Sequence, residues 1–187
     1  MKHHELEKLL ESNVNSYREI RAKFAAHILS NHDLFLPLLE ISFDVNNKTS
    51  IRACWVLEFV LREKLDWIVP HLDYFIDTIS KVHFDSSIRP ISKICEFIAK
   101  DYTSKEETKI KKYLTEKHIE TIIETGFDWL ISDQKVAVKA YTMTTLYLFG
   151  KEKNWVHNEL KLIIQQNIMD GSPAYKARGK NILKRLS

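Results

Sequence analysis

Two dipeptides in this 187-residue chain set a carboxylate beside an indole, Asp66-Trp67 and Asp128-Trp129. An indole face with a neighbouring carboxylate stabilises positive charge, the chemistry needed when a bond to a cationic leaving group breaks. The same residues have a plainer use. Asp66 stands where it can cap a helix, and Trp55, Trp67, Trp129 and Trp155 all fall in apolar patterns that suit a core. The histidines His3, His4, His27, His32, His71, His83, His118 and His157 include no His-Glu-x-x-His and no helical pair four apart with a nearby third ligand. No metal site and no cofactor are expected from such spacing. Gly126, Gly150, Gly171 and Gly179 are isolated from one another, so no glycine-rich loop exists to cradle a phosphate, and nucleophile-elbow and kinase signatures are absent too. No catalytic residue is assigned, and a non-enzymatic protein is the expectation.

Charge points to partners rather than to chemistry. The formal net charge is only +3, but Gln134 to Ser187 holds ten Lys or Arg against three acidic residues, whereas Met1 to Asp133 holds 18 against 22. A basic face of this kind suits an anionic partner or, more plainly, a solvated helix. Lys176 and Arg178 stand in its last helix. The opening Met1-Lys2-His3-His4-Glu5-Leu6 goes straight into a charged amphipathic pattern, which predicts no export signal. No run reaches the roughly 20 apolar residues of a membrane helix. Cys54 and Cys95 sit in apolar helical patterns and read as reduced core residues of a cytoplasmic protein.

The elements that position these residues are helical throughout. Only four Gly and four Pro occur, too few for a sheet protein with many tight hairpins. Ser50 to Arg62 is apolar on nearly every side and reads as a central helix buried between neighbours. Before it, Leu6, Leu9, Leu10, Val14, Tyr17, Ile20, Phe24 and Ile28 form one stripe broken near Asn13, with Ser16 and Glu19 at capping-box spacing. After it, the pattern predicts a helix from about Asp66 to Val82 with Pro70 in its first turn, a turn at Asp85-Ser86-Ser87, and a helix from Ile88 to Lys100. The segment 101–114 is dominated by charge, with Ser104 and Glu107 offering a second capping box. Helices over 119–131, 136–149 closed by Gly150, 155–168 and 174–186 complete a single domain spanning 1–187.

These helices repeat. Ile51-Arg52-Ala53, Ile88-Arg89-Pro90, Val138-Lys139-Ala140 and Tyr175-Lys176-Ala177 align; Arg52 to Arg89 is 37 residues, Lys139 to Lys176 is 37, and Arg89 to Lys139 is 50. The excess matches the charged segment 101–114, which reads as an insertion. Aspartates precede each step: Asp44, Asp85, Asp133 and Asp170. In these residues the chain resembles the HEAT-repeat family, whose pattern is an aspartate in the turn, then an aliphatic residue, Arg or Lys, and Ala opening the second helix. The resemblance implies an all-α, right-handed α–α superhelix, a solenoid of about four to five helix pairs and about nine to eleven helices. It also implies a ladder of hydrogen bonds from these Asp residues to the Lys or Arg of each step.

A weaker likeness, of fold alone, is to the alkylpurine DNA glycosylases built from HEAT-like pairs, with aromatic residues and an acidic group in a basic groove. No residue-by-residue match to their signature exists here. The functional expectation is a scaffold that binds another protein through a concave face carrying Arg52, Arg89 and Lys139, with the segment 101–114 as a further contact. The alternative is a nucleic-acid-binding protein, in its furthest form glycosylase-like, using the C-terminal basic surface with Lys176 and Arg178.

Overall fold

Residues 2–187 are described by a computed structural model, and their regular structure is entirely helical, with eleven α-helices among the described residues. Met1, which starts the opening discussed above, lies outside them. The chain divides into two compact units, the first ending at Ile94 and the second running from Cys95 to Ser187. No helix among the described residues is long and apolar enough to cross a membrane.

The first unit holds α1 (Lys2–Asn13), α2 (Arg18–Leu29), α3 (Phe35–Ser42), α4 (Thr49–Glu63), α5 (Leu72–Ile79) and the first turns of α6 (Asp85–Tyr102). Helix α4 packs against α1, α2 and α3, which is why its sequence is apolar on so many sides. Ala53, Cys54, Val56, Leu57, Val60 and Leu61 are all fully buried. Each buried Val or Leu contributes about 1.5–3 kcal/mol relative to exposure. Three polar bonds fix the entry to α4 against α1. Asn47 Nδ2 donates to Glu7 Oε1 at 2.6 Å, Thr49 Oγ1 donates to Glu11 Oε1 at 2.7 Å, and Arg52 Nε donates to the Val14 carbonyl at 3.0 Å. Asn47 Oδ1 also accepts from the Thr49 N–H at 2.9 Å and so satisfies one of the free donors at the start of α4.

Several local expectations fail for identifiable reasons. Ser16 does not cap α2: Tyr17 holds that position, and its N–H is taken by Asn15 Oδ1 at 3.0 Å. Asp66 is not a cap either, because it lies inside a tight 3₁₀ turn, Leu65–His71, that precedes α5. Pro70 has no N–H to give, so an α-helix cannot run through that turn with its bonds complete. The predicted turn at Asp85-Ser86-Ser87 is the first turn of α6.

Pro90 lies inside α6 and cannot donate to the carbonyl four residues back, that of Ser86. The indole Nε1 of Trp55 donates to that carbonyl at 2.9 Å. An α4 side chain thus replaces the bond that the proline removes.

In the second unit α7 (Lys109–Tyr113), α8 (Glu116–Ile131), α9 (Val136–Phe149), α10 (Asn154–Asn167) and α11 (Pro173–Arg185) follow the end of α6. Helix α9 is central here and packs on α8, α10 and α11. Close approach depends on two glycines: a Cβ on Gly126 would stand 3.2 Å from Leu146 Cδ2, and one on Gly179 would stand 3.0 Å from Ile164 Cγ2. Gly150 does follow α9, but in a right-handed conformation, and a Cβ there would meet the His157 ring. That ring bonds the Tyr147 carbonyl at 2.8 Å. The charged segment 101–114 contains α7, capped by Thr108 rather than by Ser104. The Thr108 hydroxyl is bonded to the Asp101 carboxylate, and Lys111 Nζ donates to the Ser104 carbonyl at 2.6 Å. Those two links close the segment on itself.

Burial pushes the Cys54 and Cys95 thiols up to about 12, so neither forms appreciable thiolate at neutral pH. A disulfide-exchange reagent should therefore label neither thiol in the native chain and both in denaturant; rapid native labelling would contradict this packing. A second outcome follows from the indole bond. Trp55→Phe should cost about 0.5–1.5 kcal/mol in urea unfolding by removing the indole donor from the Ser86 carbonyl, and Pro90→Ala should recover part of that loss by restoring the backbone donor. Equal losses in both backgrounds would show that the bond is immaterial.

Candidate functional site

The middle of α4 carries one charge where every neighbour is apolar. Glu58 is 3% exposed, and both of its oxygens are occupied: Oε1 accepts from Arg62 Nη2 at 2.7 Å and Oε2 from Arg89 Nη2 at 2.8 Å. Arg62 reaches it from one turn further along α4, and Arg89 reaches it from α6. Desolvating a carboxylate costs several kcal/mol unless it is paired, so this geometry is a condition of burying it. The two arginine side chains remain about a third exposed, 34% and 29%.

A third arginine joins them from α2. The Arg21 guanidinium carbon lies 5.5 Å from the Phe59 ring centroid and 5.6 Å from that of Trp55, and the Arg62 guanidinium lies 4.7 Å from the same Phe59 ring. Arg21 Nε is shielded from water and has no acceptor in the chain. Burial holds the Arg21 guanidinium below the usual arginine range, and repulsion from Arg89 adds to this; attraction to Glu58 opposes it, while Arg18 and Arg62 repel further. It stays protonated, since no protein environment neutralises arginine near pH 7. One carboxylate is therefore crowded by guanidinium groups that outnumber it, with Trp55 and Phe59 as walls.

The residues expected at a binding surface are separated by their actual partners. Arg89 belongs to this cluster. Arg52 does not: it is spent on the Val14 carbonyl, just past the end of α1, where unpaired carbonyls favour a cation. In the second unit Lys139 and Lys176 are half-buried, and Arg178 Nη1 donates to Thr144 Oγ1 at 2.6 Å. The expected ladder is thus altered at its first step, where Arg52 bonds a carbonyl instead of Asp44, and at the second step Arg89 bonds a glutamate of α4. Asp44 and Asp85 stand eight and four residues before their arginines, whereas Asp133 and Asp170 stand six before Lys139 and Lys176.

A helical array with this register has a counterpart among known families: a model of the HEAT repeat domain matches residues 6–186. The chain belongs to the HEAT-repeat family. No curated protein and no solved structure matches it.

In this HEAT-repeat protein the indole of each carboxylate–indole pair packs within the chain. Trp67 packs edge-on against His32 and Phe35, with ring centroids 4.4 and 5.6 Å away. Asp128 is exposed while Trp129, its neighbour in α8, is buried. Trp155, in contrast to a core residue, is 56% exposed. Among the described residues no group of three or more His, Cys, Asp or Glu could hold a metal ion. The segment 101–114 walls a cleft of about 420 Å³ bordered by Tyr102, Ser104, Lys111, Glu116, Phe149 and Lys153, with Lys153 paired to Glu116. Part of the C-terminal basic surface is likewise engaged within the chain, since the Arg185 guanidinium lies 5.6 Å from the Tyr147 ring centroid.

Glu58, Arg62 and Arg21 were not singled out by periodicity or repeat spacing. The four-residue step from Glu58 to Arg62 was a readable signal, because a glutamate inside an apolar helix requires a partner one turn away. Arg21 carried none, because its position depends on how α2 crosses α4. Glu58→Gln should lower stability by about 2–4 kcal/mol, less than for a fully buried pair because the arginines are partly solvated. Urea unfolding of the variant measures it, and a negligible loss would show that the arginines do not depend on this carboxylate.

Proposed function

We propose that this HEAT-repeat chain is a non-enzymatic binding or scaffold module whose partner is another protein. Stacked helix pairs present extended surfaces, and recognition through them needs no reactive group. The observation that carries the reading is the arginine cluster around Glu58, where guanidinium groups, partly exposed, stand against Trp55 and Phe59. Arginine beside aromatic residues is the composition of protein-binding hot spots. The face around Arg89 and the second-unit residues near Lys139 and the segment 101–114 are the proposed contact regions. We place the protein in the cytoplasm, where its two free thiols stay reduced.

The competing partner is nucleic acid, held by the basic surface that includes Lys176 and Arg178. Of these, Arg178 is already bonded to Thr144. The immobilised chain should retain a protein from nuclease-treated extract of its own cells, saturably and at near-physiological salt. Retention of nucleic acid alone, abolished by nuclease and by Lys176→Glu with Arg178→Glu, would overturn the reading.

A further inference from the structure

We propose that the arginine cluster of the first unit is an oxyanion-binding subsite, in which Arg21, flanked by Arg89 and Arg62, receives a carboxylate or phosphomonoester borne by a peptide segment of the partner. This rests on the protein-binding reading and gives it a ligand chemistry. Glu58 accepts from Arg62 and Arg89, one on each oxygen, and not from Arg21. Arg21 is instead held against two aromatic faces, and its Nε–H lacks any acceptor in the chain. An unpaired donor on a desolvated cation is costly, and so is the repulsion among Arg21, Arg89, Arg18 and Arg62. A bound oxyanion offsets that repulsion. Carboxylate and phosphomonoester share the planar or trigonal face that a guanidinium fork engages with two parallel hydrogen bonds. The walls suit a protein side chain, since Trp55 is half-buried and Phe59 carries both Arg21 and Arg62 over its ring.

A peptide is favoured over a nucleic-acid backbone because the positive charge here is compact and interrupted. Glu58 sits at its centre, and Asp85 precedes Arg89 by one turn of α6. A strand of successive phosphates requires a continuous basic track. The carboxylates would repel it, whereas a single anionic side chain meets only the arginines.

The test uses the full chain with arginine side-chain N–H resonances as the readout, titrated with three short peptides of one sequence that differ only in a central phosphoserine, glutamate or serine. Phosphoserine and glutamate peptides should shift the Arg21 resonance saturably, and the serine peptide should not; whichever anion binds more tightly identifies the source. Arg21→Gln should weaken that binding about ten- to hundredfold, and Arg21→Lys, which keeps the charge but loses the fork, should recover only part of it. Arg21 does not contact the Glu58 oxygens, and an unchanged urea midpoint verifies that each variant is folded. Equal response to the serine peptide, or unchanged affinity in folded Arg21→Gln, would overturn the subsite. So would a single-stranded oligonucleotide that binds at Arg21 more tightly than either anionic peptide. Capture of the partner protein by Arg21→Gln at wild-type strength would remove the subsite while leaving the protein-binding reading intact.

Discussion

Burying one carboxylate constrains the first unit more than any other single group. Once Glu58 is enclosed by α4 and its neighbours, the register of α6 has to deliver Arg89, and the next turn of α4 has to deliver Arg62. Apolar contacts tolerate small shifts between helices, but an ion pair in low dielectric does not, because a charge left without its partner there is several kcal/mol out of place. The apolar side chains of α4 supply most of the attraction, and the Glu58 pairing selects the arrangement in which it is realised. The surplus of positive charge around it is the by-product of that solution, and it is the part that faces outward.

Much of the architecture was legible because it depends on periodicity summed over many residues. The burial of α4 followed from Ala53, Cys54, Val56, Leu57, Val60 and Leu61 leaving no polar side, and the 37-residue spacing of Arg52 with Arg89 and of Lys139 with Lys176 marked the repeat. Caps were harder to read, because Ser16, Asp66 and Ser104 each had the right type and spacing while a neighbour competed better. Tyr17 took the α2 cap position with its N–H bonded to Asn15, Pro70 imposed a tighter turn, and Thr108 was tied to Asp101. A capping hydrogen bond is worth only about 1 kcal/mol, so tertiary context decides among candidates. The arginine cluster was the least legible feature, since it unites residues of α2, α4 and α6 that share no spacing in sequence.

The basic positions of the repeat also divide differently from their common pattern. Arg52 neutralises the carbonyl end of α1, Arg89 neutralises a glutamate, and both use the directional geometry of guanidinium. Lys139 and Lys176 occupy equivalent steps with an ammonium, which holds a charge without fixing an angle. The same sequence slot therefore carries a directional guanidinium in the first unit and an ammonium in the second.

The bond from Trp55 to the Ser86 carbonyl bears on how such arrays are assembled and rearranged. Helix-pair repeats are commonly regarded as interchangeable blocks, each carrying its own hydrogen bonds and offering its neighbours only an apolar face. Here the block containing Pro90 is incomplete by itself, and the donor that completes it resides in the block before it. Duplicating, deleting or grafting either block alone would strand a carbonyl or leave an indole without its acceptor. A segment moved elsewhere therefore keeps this bond only if it carries both blocks.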